Sequence, residues 1–319
     1  MPYAAVLAAA GLWGTIGVAY RILSDYVAVD EVTVVTIRAG AATLVLGAWL
    51  LVQDRDAFRI RPADLPFTIG FGILTVTIFY LALIFTFSGT SVAVGTLLLY
   101  LAPAMVVLGA RLFLGEPLTR ARLGALGVSF LGCLLVVQVY RLEALRGSLT
   151  GITFGLISAT SYAAYSLMGK PLLRRYRVQT VLLYHLMIGT AGLIVVKLLV
   201  SPLAWPDVKG ILLIGGYTGM VTTLAPIALY TVGLRALPTG DASILAMLEP
   251  VVALVLATVI LGERLGIWQI VGAALILGAM SLLARQGPTA KRIAAPARVP
   301  RFVTWSRKSD TDRVRSKPR

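Results

Sequence analysis

The hydrophobic residues of this chain fall into ten long blocks that are separated by short polar breaks. A helix needs about 20 apolar residues to cross the hydrocarbon core of a bilayer, and each block has roughly that length. The breaks hold helix-ending residues, as in Asp54-Arg55-Asp56 and Pro206-Asp207. The pattern predicts an all-α polytopic membrane protein with ten transmembrane helices, at about residues 4–22, 32–52, 65–87, 91–112, 120–139, 150–169, 179–200, 208–230, 241–261 and 266–284.

The composition supports lipid rather than water as the main solvent of the chain. Hydrophobic residues make up 58% of the sequence and charged residues 13%, which is about half the charged fraction of soluble domains. Cys133 and His185 are the single residues of their types, so an intramolecular disulfide and a Cys/His metal site are both excluded. We therefore predict that the protein uses no metal and no cofactor.

Basic residues are unevenly distributed, and their distribution predicts the orientation. If the N-terminus is cytoplasmic, the inner loops hold more Lys and Arg than the outer loops, as the positive-inside rule requires. An even number of helices then places both termini in the cytoplasm and makes the chain a multi-pass protein of the cell membrane. Residues 285–319 carry much of the net charge of +15 and are predicted to form a disordered cytoplasmic tail. The basicity therefore does not indicate nucleic-acid binding.

Landmark residues recur in the two halves of the chain at a spacing of 147 residues, with a drift of one or two residues at other landmarks such as Trp13 and Tyr162. The matching pairs are Glu116 and Glu263, each within a Leu-Gly-Glu motif, then Pro103 and Pro250, and finally Arg38 and His185. Several landmarks in the same order are hard to obtain by chance in apolar sequence. The spacing therefore predicts an internal duplication.

The duplication predicts the symmetry of the fold. Residues 1–140 would form a first repeat of five helices, and residues 150–284 a second. Because five is an odd number, the second repeat must enter the membrane upside down relative to the first. Inverted repeats give a transporter two related shapes, each open to one side, with the substrate near the midplane. The alternative is that the duplication only enlarges the bundle.

The motifs of both halves resemble the EamA-type branch of the drug/metabolite transporter superfamily. They are Trp13-Gly14, Pro103, Gly115-Glu116, Glu249-Pro250 and Gly262-Glu263. The resemblance covers about residues 5–284 and implies transport of a small metabolite, but it fixes no substrate. The first helix of the second half departs from the family pattern, since Tyr162-Ala163 stands where Trp-Gly is expected.

The predicted function is that of a secondary transporter rather than an enzyme. We expect it to move an amino acid or a related solute across the cytoplasmic membrane, in the outward direction, by alternating access. The chain has no GxxxxGK[ST] phosphate-binding loop, so proton coupling or facilitated exchange is expected. The alternatives are a channel, a scaffold subunit, or an integral-membrane enzyme that modifies lipids.

Glu249 is the first candidate functional residue. It lies within the ninth hydrophobic block, where a charge costs on the order of 2.5–3.5 kcal/mol, and directly before Pro250. A carboxylate beside a bent helix can couple transport to protons or bind a cationic group of the substrate. Alternatively, it forms a hydrogen bond with a neighbouring helix and only stabilises the bundle. Pro103 and Pro250 are predicted to kink their helices.

Arg38 and His185 are the other candidates for an intramembrane charge. Arg38 can contact an anionic substrate or pair with Glu249, and the alternative is a structural pair with Asp30, Glu31 or a carbonyl group. His185 titrates near neutral pH when unperturbed, although a single His on an apolar helix is more often a packing residue.

The two carboxylates at helix ends, Glu116 and Glu263, are predicted to be structural or gate elements. Each is expected to cap the N-terminus of the helix that follows it.

Polar-tipped residues within the helices are candidates for the substrate pathway. If they converge, they would line a pocket for an apolar or zwitterionic solute. Family resemblance places them on the helices around the central cavity. They are Trp13, Thr15, Tyr80, Tyr100, Ser158, Tyr162, Tyr165 and Tyr230. Glycines on helices 5 and 10 predict close packing of these two helices, and pairing of two copies as a homodimer is a further expectation.

Overall fold

The computed structural model of this chain is helical throughout the part that it describes. The described residues are 1–24, 26, 29–141, 147–200 and 205–285. Within these ranges no β-strand forms, and the only bridge joins Thr90 to Gly147. The predicted basic tail lies outside the described residues, apart from the backbone of its first residue.

Fifteen α-helices and two π-helical segments follow one another along the described residues. In the first half these are α1 (Pro2–Gly14), α2 (Ile16–Ser24), α3 (Glu31–Gln53), α4 (Leu65–Gly72), the π segment Ile73–Ile78, α5 (Phe79–Gly89), α6 (Val92–Leu99), α7 (Ala102–Leu114) and α8 (Arg120–Val136). In the second half they are α9 (Leu149–Leu173), α10 (Val178–Val200), α11 (Val208–Leu213), the π segment Ile214–Leu224, α12 (Ala225–Ala236), α13 (Thr239–Ala246), α14 (Glu249–Leu261) and α15 (Ile267–Arg285).

Eight helical stretches of the described residues are long and apolar enough to cross a membrane. They are Pro2–Leu23, Glu31–Gln53, Pro62–Gly89, Val92–Leu114, Val178–Val200, Val208–Ala236, Thr239–Leu261 and Ile267–Ala284. The fifth and sixth predicted spans, α8 and α9, are helical but are not among the eight. Helix α8 has only 17 residues, and α9, with 25 residues, is rich in hydroxyl and glycine residues. The chain is therefore a polytopic all-α membrane protein.

Two of the long spans are interrupted at related places. The fourth span breaks between α6 and α7, directly before Pro103, and the ninth breaks between α13 and α14, directly before Glu249 and Pro250. Each proline lies in the first turn of the helix after the break, where its missing N–H costs nothing and its fixed φ suits the helix. Glu249 thus begins α14 instead of lying inside a continuous helix.

The π-helical segments are the main feature of the helices that hydrophobic periodicity does not reveal. Ile73–Ile78 lies inside the third span, and Ile214–Leu224 lies inside the eighth. Each segment widens its helix locally and turns the side chains that follow. Such bulges are frequently found at functional sites.

Glycines allow helices α8 and α15 to pack closely. A Cβ atom on Gly132 would lie 2.6 Å from the carbonyl oxygen of Gly272, and one on Gly272 would lie 2.5 Å from that of Gly132. The expected close packing of the fifth and tenth spans is confirmed at this pair. In contrast, a Cβ atom on Gly124, Gly127 or Gly278 would have no neighbouring atom within 4 Å.

Candidate functional site

Four aromatic rings from four helices contact one another. The Trp13 ring on α1 lies 6.4 Å from the Tyr162 ring on α9 and 5.5 Å from the Tyr230 ring on α12, measured between centroids. Phe79 on α5 stacks on Tyr162 at 5.9 Å. Trp13, Tyr162 and Phe79 are half-buried. We call these four residues the aromatic cluster.

The aromatic cluster contains three residues that the sequence singled out and one that it did not. Phe79 was missed because it carries no polar atom, and an apolar ring within an apolar helix gives no signal. It directly follows the π segment Ile73–Ile78, whose change of helical period the apolar pattern does not reveal.

Other hydroxyl groups of the predicted pathway form hydrogen bonds within the protein. Tyr230 Oη and Ser166 Oγ lie 2.8 Å apart, and Tyr165 Oη bonds Thr231 Oγ1. Thr15 donates to the Leu12 carbonyl at 2.7 Å, and Ser158 donates to the Gly155 carbonyl at 2.9 Å. Thr15 and Ser158 therefore satisfy their own helices, as Ser and Thr often do in membranes.

Glu249 lies beside the aromatic cluster, at the first position of α14. Its backbone carbonyl oxygen lies against Gly14, which follows Trp13 in the chain. In the part of the chain that the structure describes, no hydrogen bond or ion pair reaches its carboxylate. The side chain is half-buried, so its oxygens are accessible. The predicted alternative, a hydrogen bond to a neighbouring helix, is thus not formed here.

Gly14 explains how α1 comes so close to Glu249. A Cβ atom on Gly14 would lie 2.9 Å from the Glu249 carbonyl oxygen and 2.7 Å from Cβ of Val252. Only a glycine fits at this contact without a shift of α1 or α14. The Trp13-Gly14 motif thus combines a large ring with the close approach that holds it against α14.

Arg38 is buried and has neutral partners. Its Nε donates to Thr223 Oγ1 at 2.8 Å, and its terminal nitrogens lie 3.3 Å from Tyr20 Oη and from the Thr222 carbonyl oxygen. The guanidinium also lies 5.0 Å from the centroid of the Tyr80 ring. The predicted pairs with acidic residues are not formed among the described residues, whereas the predicted carbonyl contact is.

One of the acidic candidates for pairing with Arg38 is used elsewhere. Asp30 caps α3 by accepting from the Thr33 N–H at 2.9 Å. It also lies 3.5 Å from Nζ of Lys197. The first N–H groups of a helix have no partner within the helix. Asp30 is therefore used as a hydrogen-bond acceptor at the start of α3.

His185 has surroundings that mirror those of Arg38. Its Nδ1 lies 3.1 Å from Thr75 Oγ1, and its ring packs 5.0 Å from Phe71 and 4.8 Å from Tyr165. Thr75 belongs to the first π segment, just as Thr222 and Thr223 belong to the second. Arg38 and His185 thus each reach from one half of the chain to the π segment of the other.

Glu116 caps a helix of the opposite half. Its Oε1 accepts from the Thr239 N–H at 2.6 Å, and its Oε2 accepts from the Gly240 N–H at 3.3 Å, so it caps the N-terminus of α13. The prediction that it caps the following helix is wrong, because Thr119 caps α8 instead. Gly115 ends α7 in the left-handed conformation, with φ of 70°.

Glu116 is part of a buried charged cluster that joins the two halves. Arg122 Nε donates to Asp241 Oδ1 at 2.7 Å, Arg122 Nη1 lies 3.6 Å from Glu116 Oε2, and all three side chains are buried. Lys170 Nζ lies nearby and donates to the carbonyls of Leu234 and Leu237. We call Glu116, Arg122 and Asp241 the charged cluster. Asp241 was missed, although an acid within the first turn of an apolar span is a readable signal.

Glu263 behaves differently from its counterpart Glu116. It is exposed, and it forms no hydrogen bond or ion pair within the described residues. The start of α15 is capped by Gln269, whose Oε1 accepts from the Gly266 N–H at 2.9 Å, so the predicted capping role of Glu263 is also wrong. Gln269 stands 147 residues after Arg122, so the charged cluster has no copy at this position.

A metal site is not formed by the described residues. No group of three or more His, Cys, Asp or Glu side chains comes close enough there to hold an ion.

Comparison with known proteins identifies the family. The model of the EamA-like transporter family matches residues 1–138 and 149–285. An "Uncharacterized transporter" of Archaeoglobus fulgidus is 29% identical over 285 residues, which are 89% of this chain and 96% of that protein. The "Uncharacterized transporter YxxF" of Bacillus subtilis is 29% identical over 283 residues, 86% of this chain and 88% of the relative.

Two further matches agree. The "Uncharacterized inner membrane transporter YicL" of Salmonella typhimurium is 25% identical over 281 residues, 87% of this chain and 93% of that protein. A solved crystal structure superposes with a TM-score of 0.78 at 18% identity, covering 92% of this chain and 99% of that one. It shows a shared fold alone. The resemblance drawn from the sequence motifs is confirmed, and this chain belongs to the EamA-like transporter family.

Proposed function

We propose that this protein is a secondary transporter that moves a small metabolite across the cytoplasmic membrane by alternating access. The observation that carries the proposal is the difference between the two helix ends that carry the Leu-Gly-Glu motif, at Glu116 and at Glu263. Glu116 is buried in contacts between the halves, and Glu263 is exposed. A two-state transporter built from related halves requires such an asymmetry, because one end must be closed while the other is open.

Several features support two inverted repeats of five helices each. The family model matches the chain twice, over residues 1–138 and 149–285. The breaks before Pro103 and Pro250, and the two π segments, fall at related places. With α8 and α9 counted as short or polar spans, each half has five helices and the total is ten.

The closed end is assigned to the cytoplasm by the positive-inside rule. On the same side of the proposed topology, Arg175 Nη1 lies 2.6 Å from Asp64 Oδ1, and Arg177 Nη1 lies 2.9 Å from Asp54 Oδ2. Exposed pairs of this kind contribute little energy individually. Nevertheless, each pair joins a loop of one half to a loop of the other, so both pairs help to close the same end as the charged cluster. The structure is thus proposed to be an outward-open or occluded state.

The cargo is proposed to be an amino acid or a related solute, moved outwards. The half-buried aromatic rings and the accessible carboxylate of Glu249 supply apolar and polar contacts in one place, as binding sites for small molecules do. Proton coupling and pairing of two copies remain predictions.

A counterflow experiment tests the proposal. The purified full chain is reconstituted into liposomes that are preloaded with one member of a panel of unlabelled amino acids, amines or sugars, and uptake of the labelled compound is followed. We expect saturable uptake that increases when the same compound is present inside. Flux that neither saturates nor responds to internal solute would indicate a channel, and no flux for any compound would favour a scaffold subunit. Liposomes without protein are the control.

A further inference from the structure

Close contacts between the two halves of the chain occur in pairs that are related by the offset of 147 residues. A Cβ atom on Gly72 would lie 3.2 Å from the carbonyl oxygen of His185. A Cβ atom on Gly219 would lie 3.0 Å from the carbonyl oxygen of Arg38. Gly219 stands 147 residues after Gly72, and His185 stands 147 residues after Arg38. The same close approach of two helices is therefore formed twice, once in each direction.

Polar contacts between the halves repeat at the same offset. His185 Nδ1 lies 3.1 Å from Oγ1 of Thr75, and Arg38 Nη2 lies 3.3 Å from the carbonyl oxygen of Thr222. Thr222 stands 147 residues after Thr75. The offset that relates the sequence landmarks thus also relates contacts in space. A contact between the halves therefore predicts a counterpart in which every residue is moved by one repeat.

The contact of Glu116 with α13 lacks this counterpart. Glu116 accepts from the N–H groups of Thr239 and Gly240 at the start of α13. The offset equates Glu116 with Glu263 and the start of α13 with the start of α6. Glu263 is exposed, and its carboxylate accepts no hydrogen bond within the described residues. The carboxylate cap that joins the halves at one end of the bundle is therefore absent at the other end.

The start of α6 can accept a carboxylate. Ser91 Oγ accepts from the Val94 N–H at 3.2 Å, so it caps the third N–H group of the helix. The first two N–H groups belong to Val92 and Ala93, the equivalents of the two that Glu116 binds, and neither has an acceptor within the described residues. Val92 is 74% exposed. Because negative charge is stabilised at a helix start, a carboxylate can cap α6 without displacing Ser91.

The two helix starts lie on opposite sides of the membrane in the proposed topology. Glu116 and the start of α13 face the cytoplasm, whereas Glu263 and the start of α6 face the outside. In a transporter built from inverted repeats, the halves exchange their conformations when the open side changes. The cap that is formed at the cytoplasmic end in the structure is then expected at the outer end in the opposite state.

We infer that Glu263 closes the outer end of the transporter: in the inward-open state its carboxylate accepts the N–H groups of Val92 and Ala93, and Glu116 releases α13. The inference rests on the proposed function and adds a contact that holds the second state of its cycle. Glu263 is thus a gate residue, although in the structure it is an exposed side chain.

The outer gate has fewer charges than the cytoplasmic gate. Val94 and Gln269 stand at the positions that Asp241 and Arg122 occupy in the charged cluster. The ion pair of Arg122 with Asp241 therefore has no equivalent at the outer end. The cap by Glu263 acts there without it, so the state with the cytoplasmic end closed is the more populated one.

Paired cysteines test the contact without a transported solute. In a Cys133→Ala background, Glu263→Cys is combined with Val92→Cys, and proteoliposomes are treated with bismaleimidoethane. Because this crosslinking is irreversible, it accumulates the rarer state each time that state forms. We expect a crosslink between the two positions, identified by mass spectrometry of the peptides. Absence of this crosslink in folded protein would overturn the inference.

Two further cysteine pairs are the controls. Glu116→Cys with Thr239→Cys joins a contact that the structure already contains and should crosslink readily. Glu263→Cys with Val208→Cys uses a second residue of the predicted outer side, 72% exposed, which no repeat-related contact places near Glu263. Equal crosslinking of Glu263→Cys to Val208→Cys and to Val92→Cys would show that the reaction is not specific and would contradict the inference.

Substitution of Glu263 tests its effect on the two states. Glu263→Ala removes both acceptor oxygens, so the inward-open state should become rarer. In the Cys133→Ala background, a cysteine at Ser243 should then react about 10-fold more slowly with a water-soluble maleimide. Glu263→Gln keeps one acceptor oxygen and should react at an intermediate rate, whereas Asp56→Ala, at another exposed carboxylate, should have no effect. An unchanged rate in Glu263→Ala would contradict the assigned role.

The counterflow experiment separates this inference from the proposed function. Flux of a compound of the panel, without the crosslink between positions 263 and 92, would overturn the outer gate and leave the transporter proposal intact. Conversely, the crosslink without flux of any compound would support the gate and count against transport.

Discussion

The hydroxyl groups of Thr43 on α3 and Thr190 on α10 form a hydrogen bond of 2.8 Å, and the two residues are 147 positions apart. Because Thr43 already donates to the Ala39 carbonyl at 2.8 Å, Thr190 is the donor in this pair. The separation equals the offset between the sequence landmarks of the two halves. Equivalent residues of two repeats can touch only near the axis that exchanges the repeats, so the proposed duplication accounts for this contact.

Removal of either hydroxyl of this pair should weaken the contact between α3 and α10. Hydrogen bonds between membrane helices contribute about 0.6 kcal/mol on average, so we expect a coupling energy of that order in a double-mutant cycle of Thr43→Val and Thr190→Val. The cycle is measured by unfolding in mixed detergent. Thr153→Val is the control, since Thr153 bonds only its own helix. Strictly additive effects would indicate that the two hydroxyls do not interact.

Disruption of the charged cluster should open the end that it closes. Asp241→Asn removes the nearer of the two carboxylates that face the buried Arg122, and breaking a buried pair costs about 3–5 kcal/mol. In a Cys133→Ala background, a cysteine at the buried position Ser243 should react faster with a water-soluble maleimide once Asp241→Asn is present.

Asp56→Asn is the matched control for this experiment, because the Asp56–Arg59 pair is exposed. An unchanged labelling rate in folded Asp241→Asn protein would show that the cluster does not close the path to Ser243.

Glu116→Gln and Glu263→Gln should have very different effects on stability, although the two residues occupy the same motif. Glu116→Gln removes the charge that caps α13 and faces Arg122, and the loss is expected to be about 1–3 kcal/mol. Glu263 is exposed, so its substitution should leave the melting temperature in detergent unchanged. Equal melting temperatures for both variants would mean that the Glu116 contacts do not contribute to stability.

Glu249→Gln should impair transport or change its dependence on pH. The neutral amide cannot exchange a proton with solvent, and it cannot offer a negative charge to a cation. Flux into proteoliposomes is compared across a pH series for the unmodified protein, Glu249→Gln and Glu263→Gln. Identical pH profiles for all three proteins would remove Glu249 from the coupling mechanism.

Tags at the two termini should both be accessible from the cytoplasm. The expectation follows from an even number of spans and from the excess of basic residues in the predicted inner loops. Protease treatment of intact cells, compared with inside-out vesicles, reports the side of each tag. Cleavage of either tag in intact cells would contradict the proposed topology, and cleavage of both would move the charged cluster to the outer side.

Some features follow from the sequence because they depend on nearby residues or on composition. Blocks of about 20 apolar residues require lipid or a helical bundle around them, and they predicted the polytopic all-α class. Pro103 and Pro250 limit the helices at their own positions whatever surrounds them. The family motifs are likewise linear and needed no contacts to be recognised. Trp13, Tyr162 and Tyr230 could be nominated because aromatic residues with polar tips stand out in apolar helices.

The partners of the charged residues were decided by the tertiary structure alone. Glu116 meets Thr239 across 123 positions, and Arg38 meets Thr223 across 185. Hydrophobic periodicity is nearly uniform around these helices, so it does not tell which side faces which neighbour. The π segments add to this uncertainty, because each changes the helical period of the residues around it, and Phe79 directly follows the first of them. The sequence thus determined which residues are unusual, and the packing of helices from both halves determined which of them contact one another.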